Sequence, residues 1–196
     1  MRERRSLRII RMVGGAMVIS LSMIWLLSCS QNTGTRSAVI IKAAGYLPGT
    51  EAPEGPDAIT SATSEGNNTH TFAEKLQEKL QAQKIAVRIV DYTDARGQTF
   101  VENLVIFAGP TYSGKLIKQI LNLVEEITIG PKSVCTCLTA CGTPSSGDEA
   151  AELMNQHLTE SGLKTIPGIA IGVKIEAEVI DKALDGFANK LVVALK

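Results

Sequence analysis

Reactive and metal-binding side chains are scarce in this sequence of 196 residues, which holds four cysteines, two histidines and one tryptophan. Cys29 stands alone near the N-terminus, while Cys135, Cys137 and Cys141 crowd into one short stretch. An odd, clustered set is a poor framework for disulfides. A zinc or iron–sulfur site would need a further ligand beside C-x-C-x3-C, and His157 comes well downstream, beyond a predicted helix turn. Cys135 and Cys137, two apart on a strand, share a face, and the reading is of buried strand thiols. The order of elements assembles no Ser-His-Asp set and no carboxylate pair for acid–base work, so no catalytic side chain is assigned. No internal repeat is present.

Charge of one sign is also lacking: Lys and Arg number 20, Asp and Glu 20. The balance is uneven along the chain. Residues 1–28 hold five arginines and one glutamate, so their removal leaves 15 basic against 19 acidic residues. A remainder of net charge −4 argues against nucleic acid as a partner. Arg2, Arg4, Arg5, Arg8 and Arg11 precede an uncharged stretch from Met12 to Leu27. That stretch falls short of the roughly 20 residues that span a bilayer comfortably. The pattern is that of a signal peptide over residues 1–28. Leu26-Leu27-Ser28-Cys29 resembles a bacterial lipobox, which implies lipidation of Cys29, a tether over 29–36 and a folded domain over 37–196. An uncleaved N-terminal anchor is the alternative. Either way the domain is expected at the cell membrane or outer membrane, on its periplasmic or extracellular face. Arg4-Arg5-Ser6-Leu7 resembles the twin-arginine export signal, whose pathway moves folded proteins, often with a cofactor inside.

Beyond the tether, short apolar runs alternate with helical patterns, the signature of βα units around a parallel sheet. The strands read as Ala38 to Ala43, Ile85 to Val90, Asn103 to Gly109, Ser133 to Ala140 and Gly168 to Val173. Phe72, Leu76 and Leu80 mark a first helix, with Thr71 and Glu74 as a capping-box pair at its start. A second is predicted from Lys115 to Ile127, a third from Asp148 to Ser161 with Gly162 as its stop, and a last from Ala177 onward. Between strands two and three there is room for a short helix or none. Residues 46–63 have little periodicity and read as a long loop, either a lid or a floppy insertion.

In an open parallel sheet, ligands bind outside the carboxyl ends of the strands. The loops that follow strands one, three and four contain "SEGNNT" (Ser64 to Thr69), "GPTYSGK" (Gly109 to Lys115) and "CGTPSSG" (Cys141 to Gly147). Gly, Ser, Thr and Pro there let backbone N–H groups approach a ligand and add hydroxyl donors.

Asn68-Thr69-His70-Thr71-Phe72-Ala73-Glu74 resembles the end of the flavodoxin phosphate loop and the helix that follows it. "NLVIFAGPTYSGKLIKQILNLVEE" is similar to the family's third strand, Pro-Thr-Tyr loop and next helix. The likeness spans about residues 38–195, with 46–63 as the exception. It implies an α/β flavodoxin-like three-layer sandwich, with a five-stranded parallel sheet of order 2-1-3-4-5 and helices on both faces. It also implies FMN as cofactor. The phosphate would sit on Ser64, Glu65, Gly66, Asn67, Asn68 and Thr69, where a helix N-terminus favours an anion. The ring would lie between Pro110, Thr111, Tyr112, Ser113 and Gly114 on one side and Cys141, Gly142 and Thr143 on the other, with Tyr112 stacked on it. Two departures stand out. Asn67 occupies the usual glycine place, with Gly66 one position earlier, although Asn tolerates left-handed backbone. The loop after strand four lacks an aromatic, and Trp25 leaves with the signal, so Tyr46, Tyr92 or a partner would cover the second face. The implied function is electron transfer to transient redox partners, with FMN as the redox group. The alternatives are a flavin-dependent NAD(P)H reductase for a quinone-like acceptor, and a flavodoxin-like module without FMN.

Overall fold

Ala38, Val39, Ile40 and Ile41 are all buried, so β1 (Ser37–Lys42) has to lie within a sheet covered on both faces. The computed structural model describes residues 36–43, 58–112, 115–116 and 118–196, and for 58–67, 112, 115–116, 118 and 144 it describes the backbone. The signal, Cys29 and the tether to residue 35 lie outside the described residues, as do 44–57, Ser113 and Gly114.

Alongside β1 run β2 (Ala86–Asp91), β4 (Leu104–Tyr112), β7 (Val134–Cys141), β8 (Lys164–Thr165) and β9 (Ile169–Gly172). Their order is β2-β1-β4-β7-β8, with β9 also on β7, and every one of these pairings is parallel. β8 and β9 are one edge position in two pieces, so the sheet keeps the expected order 2-1-3-4-5. The break falls at Pro167–Gly168. Proline has no N–H for the ladder. Gly168 approaches β7 so closely that a Cβ there would lie 2.3 Å from Cys137 Sγ. Two short strands, β3 (Thr99–Phe100) and β6 (Thr128–Ile129), pair in parallel as a second sheet. β5 (Lys115–Leu116) turns back antiparallel on the end of β4.

Successive strand residues point to opposite faces, and each face has its own helices. On one, α1 (Ala58–Ala82) and α5 (Ala177–Ala194) bury Phe72, Leu76, Leu80, Leu184, Phe187 and Leu191 against Ala38, Ile40, Leu104 and Ile106. On the other, α2 (Tyr92–Ala95), α3 (Lys118–Glu126) and α4 (Pro144–Glu160) bring Tyr92, Ile120, Leu123, Met154 and Leu158 onto Val39, Ile41, Val105 and Phe107. Each such large side chain contributes about 1.5–3 kcal/mol by leaving water. Among the described residues no helix is long and apolar enough to cross a membrane.

Several boundaries differ from the sequence reading. The second helix begins at Lys118, because Lys115 and Leu116 pair with β4. The third begins at Pro144 instead of Asp148, since proline suits a first helical turn, and Gly162 (φ +78) ends it as expected. The largest correction concerns α1. It starts at Ala58, not Thr71, and takes in the last part of the expected loop 46–63. The Thr71/Glu74 spacing is met equally well inside a helix, where residues three and four apart are neighbours. There Glu74 pairs with His70 instead, at 3.2 Å.

Candidate functional site

Because the main strands are parallel, the carboxyl ends of β1, β4 and β7 form one edge. Pro110 stands in register with Ala140, so the ends of β4 and β7 emerge side by side. Thr111 is buried there, and its Oγ1 donates to the Ala140 carbonyl at 3.4 Å. β4 continues through Tyr112, then pairs with β5 through Thr111–Leu116 and Tyr112–Lys115. The expected open loop "GPTYSGK" is thus largely a hairpin, and β5 packs against α4. The Tyr112 side chain, Ser113 and Gly114 lie outside what is described.

Cys141 ends β7 fully buried, Gly142 follows half-buried, and Thr143 is exposed. Thr143 holds the N-cap position of α4 with extended backbone (φ −130, ψ 139), ahead of Pro144. Its hydroxyl shares a 3.0 Å hydrogen bond with Ser146 Oγ, which also lies 2.9 Å from the Thr143 carbonyl. Gly147, expected in the loop, is inside α4 and serves packing, since a Cβ there would stand 2.4 Å from Cys141 Sγ.

On the opposite side of the edge, Ser64 to Thr69 belong to α1. This helix runs against the strands and ends just before β2 opens, so its buried stripe from Thr69 to Leu80 starts level with the carboxyl edge. The six residues are helical here, and the expected loop form is corrected. Inside a helix each N–H is bonded to the carbonyl four residues back, so these amides are not presented to a ligand in this conformation. Thr69 is 1% exposed and Thr71 is exposed, and both have interaction partners.

Tyr92 does not cover the edge: it is buried in the core beside Val39, Ile41 and Ala43. Tyr46 is outside the described residues. The three cysteines of β7 are buried. Burial pushes the Cys135 and Cys137 thiols up to about 12, far from reactive. His157 Nε2 hydrogen-bonds to the Leu121 carbonyl at 3.2 Å, and among the described residues no group of His, Cys, Asp or Glu could hold a metal ion.

One residue of the edge was missed from sequence. Lys42 closes β1, its side chain 13% exposed, with Nζ 2.6 Å from Oδ1 of Asp91 at the end of β2. The signal was there, a lysine ending the apolar run "AVIIK", but in a sequence it reads as a solvated strand end.

No family model matches this sequence, and no curated protein does. Solved structures do resemble it. Flavodoxin 1 from Bacillus cereus is 16% identical with TM-score 0.56, covering 82% of this chain and 99% of that one. The Fusobacterium nucleatum flavodoxin bound to flavin mononucleotide is 12% identical with TM-score 0.52, over 82% of this chain and 99% of that one. The rubredoxin oxygen:oxidoreductase of Desulfovibrio gigas is 12% identical with TM-score 0.56, over 82% of this chain, which spans 36% of that protein's length. At such identities the likeness concerns the chain path, and by that path this protein has a flavodoxin-like fold.

Proposed function

We propose that this protein is a flavodoxin-like electron carrier that binds FMN at the carboxyl edge of its sheet and is held at a membrane by a lipid on Cys29. The observation that carries this reading is the side-by-side emergence of β4 and β7, in register at Pro110 and Ala140. With Pro110 beside Ala140, the continuing residues Thr111 and Tyr112 run next to Cys141 and Gly142, the two stretches expected to border a flat ring. An FMN-bound flavodoxin with a similar chain path supports the choice of ligand.

The donor set fits FMN on one condition, that the first turns of α1 open. Ser64, Gly66, Asn67, Asn68 and Thr69 are poor helix formers, each about 0.5–1 kcal/mol worse than alanine in a helix interior. Their weak propensity lowers the cost of releasing them from the helix, set against the burial of Thr69, and release would free amides and hydroxyls for a phosphate. Tyr112, Ser113 and Gly114 would border the ring on one side, Gly142 and Thr143 on the other. FMN, when bound, supplies the electron transfer. The chain's own groups hold it, shield it from water and set the surrounding charge. The excess of acidic residues beyond the signal suits brief docking with basic redox partners.

The test is an absorbance spectrum of the full chain before and after FMN is added. Flavin bands that shift and sharpen are expected, and a spectrum equal to the sum of its parts sinks the reading in favour of a module without flavin. Steady oxidation of NAD(P)H by the FMN-loaded protein alone would instead mark a reductase. For the anchor, Cys29→Ser should move the protein from the membrane fraction to the soluble one.

A further inference from the structure

We propose that Lys42 is the residue that makes this site prefer a phosphorylated flavin over the same ring without phosphate, an inference that rests on the FMN reading above. Among the strands β1, β4 and β7, only β1 ends on a charged residue, the others closing on Tyr112 and Cys141. β1 lies between β2 and β4, and the chain leaves it toward β2 through α1 before crossing back to β4. Its end is therefore the point where strand order reverses, at which ligands settle in open α/β sheets.

Alternation places Lys42 on the same face as Ala38 and Ile40, the face that α1 covers. Ser64 to Thr69 occupy the turns of α1 leading into its buried stripe, at that same edge and face. The lysine and the expected phosphate donors thus share one corner of the molecule. At 13% exposed, the Lys42 side chain has given up much of its hydration and rotamer freedom. Its partner Asp91, opposite it in the β1–β2 register, is 54% exposed, and a pair with so solvated a carboxylate returns little of that cost. An ammonium has three donors, and Asp91 takes one of them. A phosphate arriving beside Thr69 meets a cation held in place, whose one ion pair among the described residues leaves it donors to give. Asp91 holds the lysine in position while the site is empty and competes for it when the site fills.

The test titrates the full chain in detergent with FMN and, separately, with riboflavin, following flavin fluorescence. Lys42→Met should weaken FMN roughly tenfold or more, the usual loss for a hydrogen bond to a charged group, and leave riboflavin unchanged. Lys42→Arg should keep the preference for FMN. Asp91→Asn, at a solvated position, should tighten FMN alone, and it keeps the question open if Lys42→Met does not fold. An equal FMN-to-riboflavin affinity ratio in wild type and Lys42→Met overturns the role of Lys42, as does a loss of FMN affinity in Asp91→Asn. If the wild-type chain takes up neither flavin, it is the FMN reading itself that falls.

Discussion

Gly147 lies against Cys141 so closely that a Cβ on the glycine would stand 2.4 Å from the cysteine Sγ and 2.7 Å from the Ala170 Cβ. Gly168 repeats the relationship one strand over, 2.3 Å from Cys137 Sγ and 2.7 Å from the Cys137 carbonyl oxygen. These contacts set how near α4 and the outer edge strand come to β7. They also explain why cysteine, a small hydrophobe, fills those positions.

Adding a methyl at either glycine should therefore overpack the core. Gly147→Ala and Gly168→Ala should each lose about 1–3 kcal/mol of stability. Urea unfolding should show a lower midpoint at unchanged slope. A wild-type midpoint in Gly168→Ala, where the Cys137 backbone crowds the site as well as its side chain, would contradict the packing described.

The thiols of β7 make a second prediction. Burial raises Cys135 and Cys137 from the ordinary value of 9.0 to about 12. An unfolded chain releases these protons above 9.0 while the folded one keeps them to about 12, so stability falls as pH rises through that window. The slope is about 1.4 kcal/mol per pH unit for each thiol. Unfolding midpoints measured across this range should fall less steeply for the Cys135→Val, Cys137→Val double variant. Thiol reagents at neutral pH should label neither residue until the protein unfolds.

Between α1 and α5, Lys79 Nζ lies 2.7 Å from Asp185 and 3.1 Å from Asp181, with Lys75 3.5 Å from Asp181. The hydrogen bond and charge of Lys79 hold the Asp181 carboxyl below its ordinary range despite some desolvation. Its contribution is present above the ordinary aspartate pKa and is lost as pH falls through the depressed one. Lys79→Met should flatten the acid side of the stability–pH curve, and added salt should shrink the difference between the two proteins.

The opening of α1 can be read without touching the ligand. Gly66→Ala favours the helix by about 1 kcal/mol, and so should weaken FMN binding by roughly fivefold if the bound form needs residues 64–69 uncoiled. Hydrogen exchange should show these amides losing helical protection in wild type when FMN is added. Unchanged protection, with FMN demonstrably bound, would mean that the helix tolerates the ligand.

Much of the architecture was legible in the chain. The apolar runs of β1, β4 and β7 lie within about two residues of their expected places, apart from the far end of β4. The stripe Phe72-Leu76-Leu80 is buried as periodicity required, and in the last helix Leu184, Phe187 and Leu191 are buried while Ile180, expected with them, is half-buried. The site was less legible. Thr71-x-x-Glu74 looks the same at a helix start and within a helix, and Ser, Thr, Gly and Asn read as loop even where a continuing helix holds them. Residues 110–112 read as loop because Pro, Thr and Tyr carry no alternation, yet they extend β4 by pairing with residues 115–116.

Taken alone, the amino-acid order determined which segments are buried and so the layered α/β design, because burial of an apolar face is a property of local pattern. Tertiary structure decided where those segments stop and what their ends meet. The Lys42–Asp91 pair depends on charges brought together by folding, and α1 is continued through Ser64–Thr69 up to a Thr69 buried in the fold. Where a strand ends beside another strand's carboxylate is a matter of register, and register belongs to the sheet as a whole.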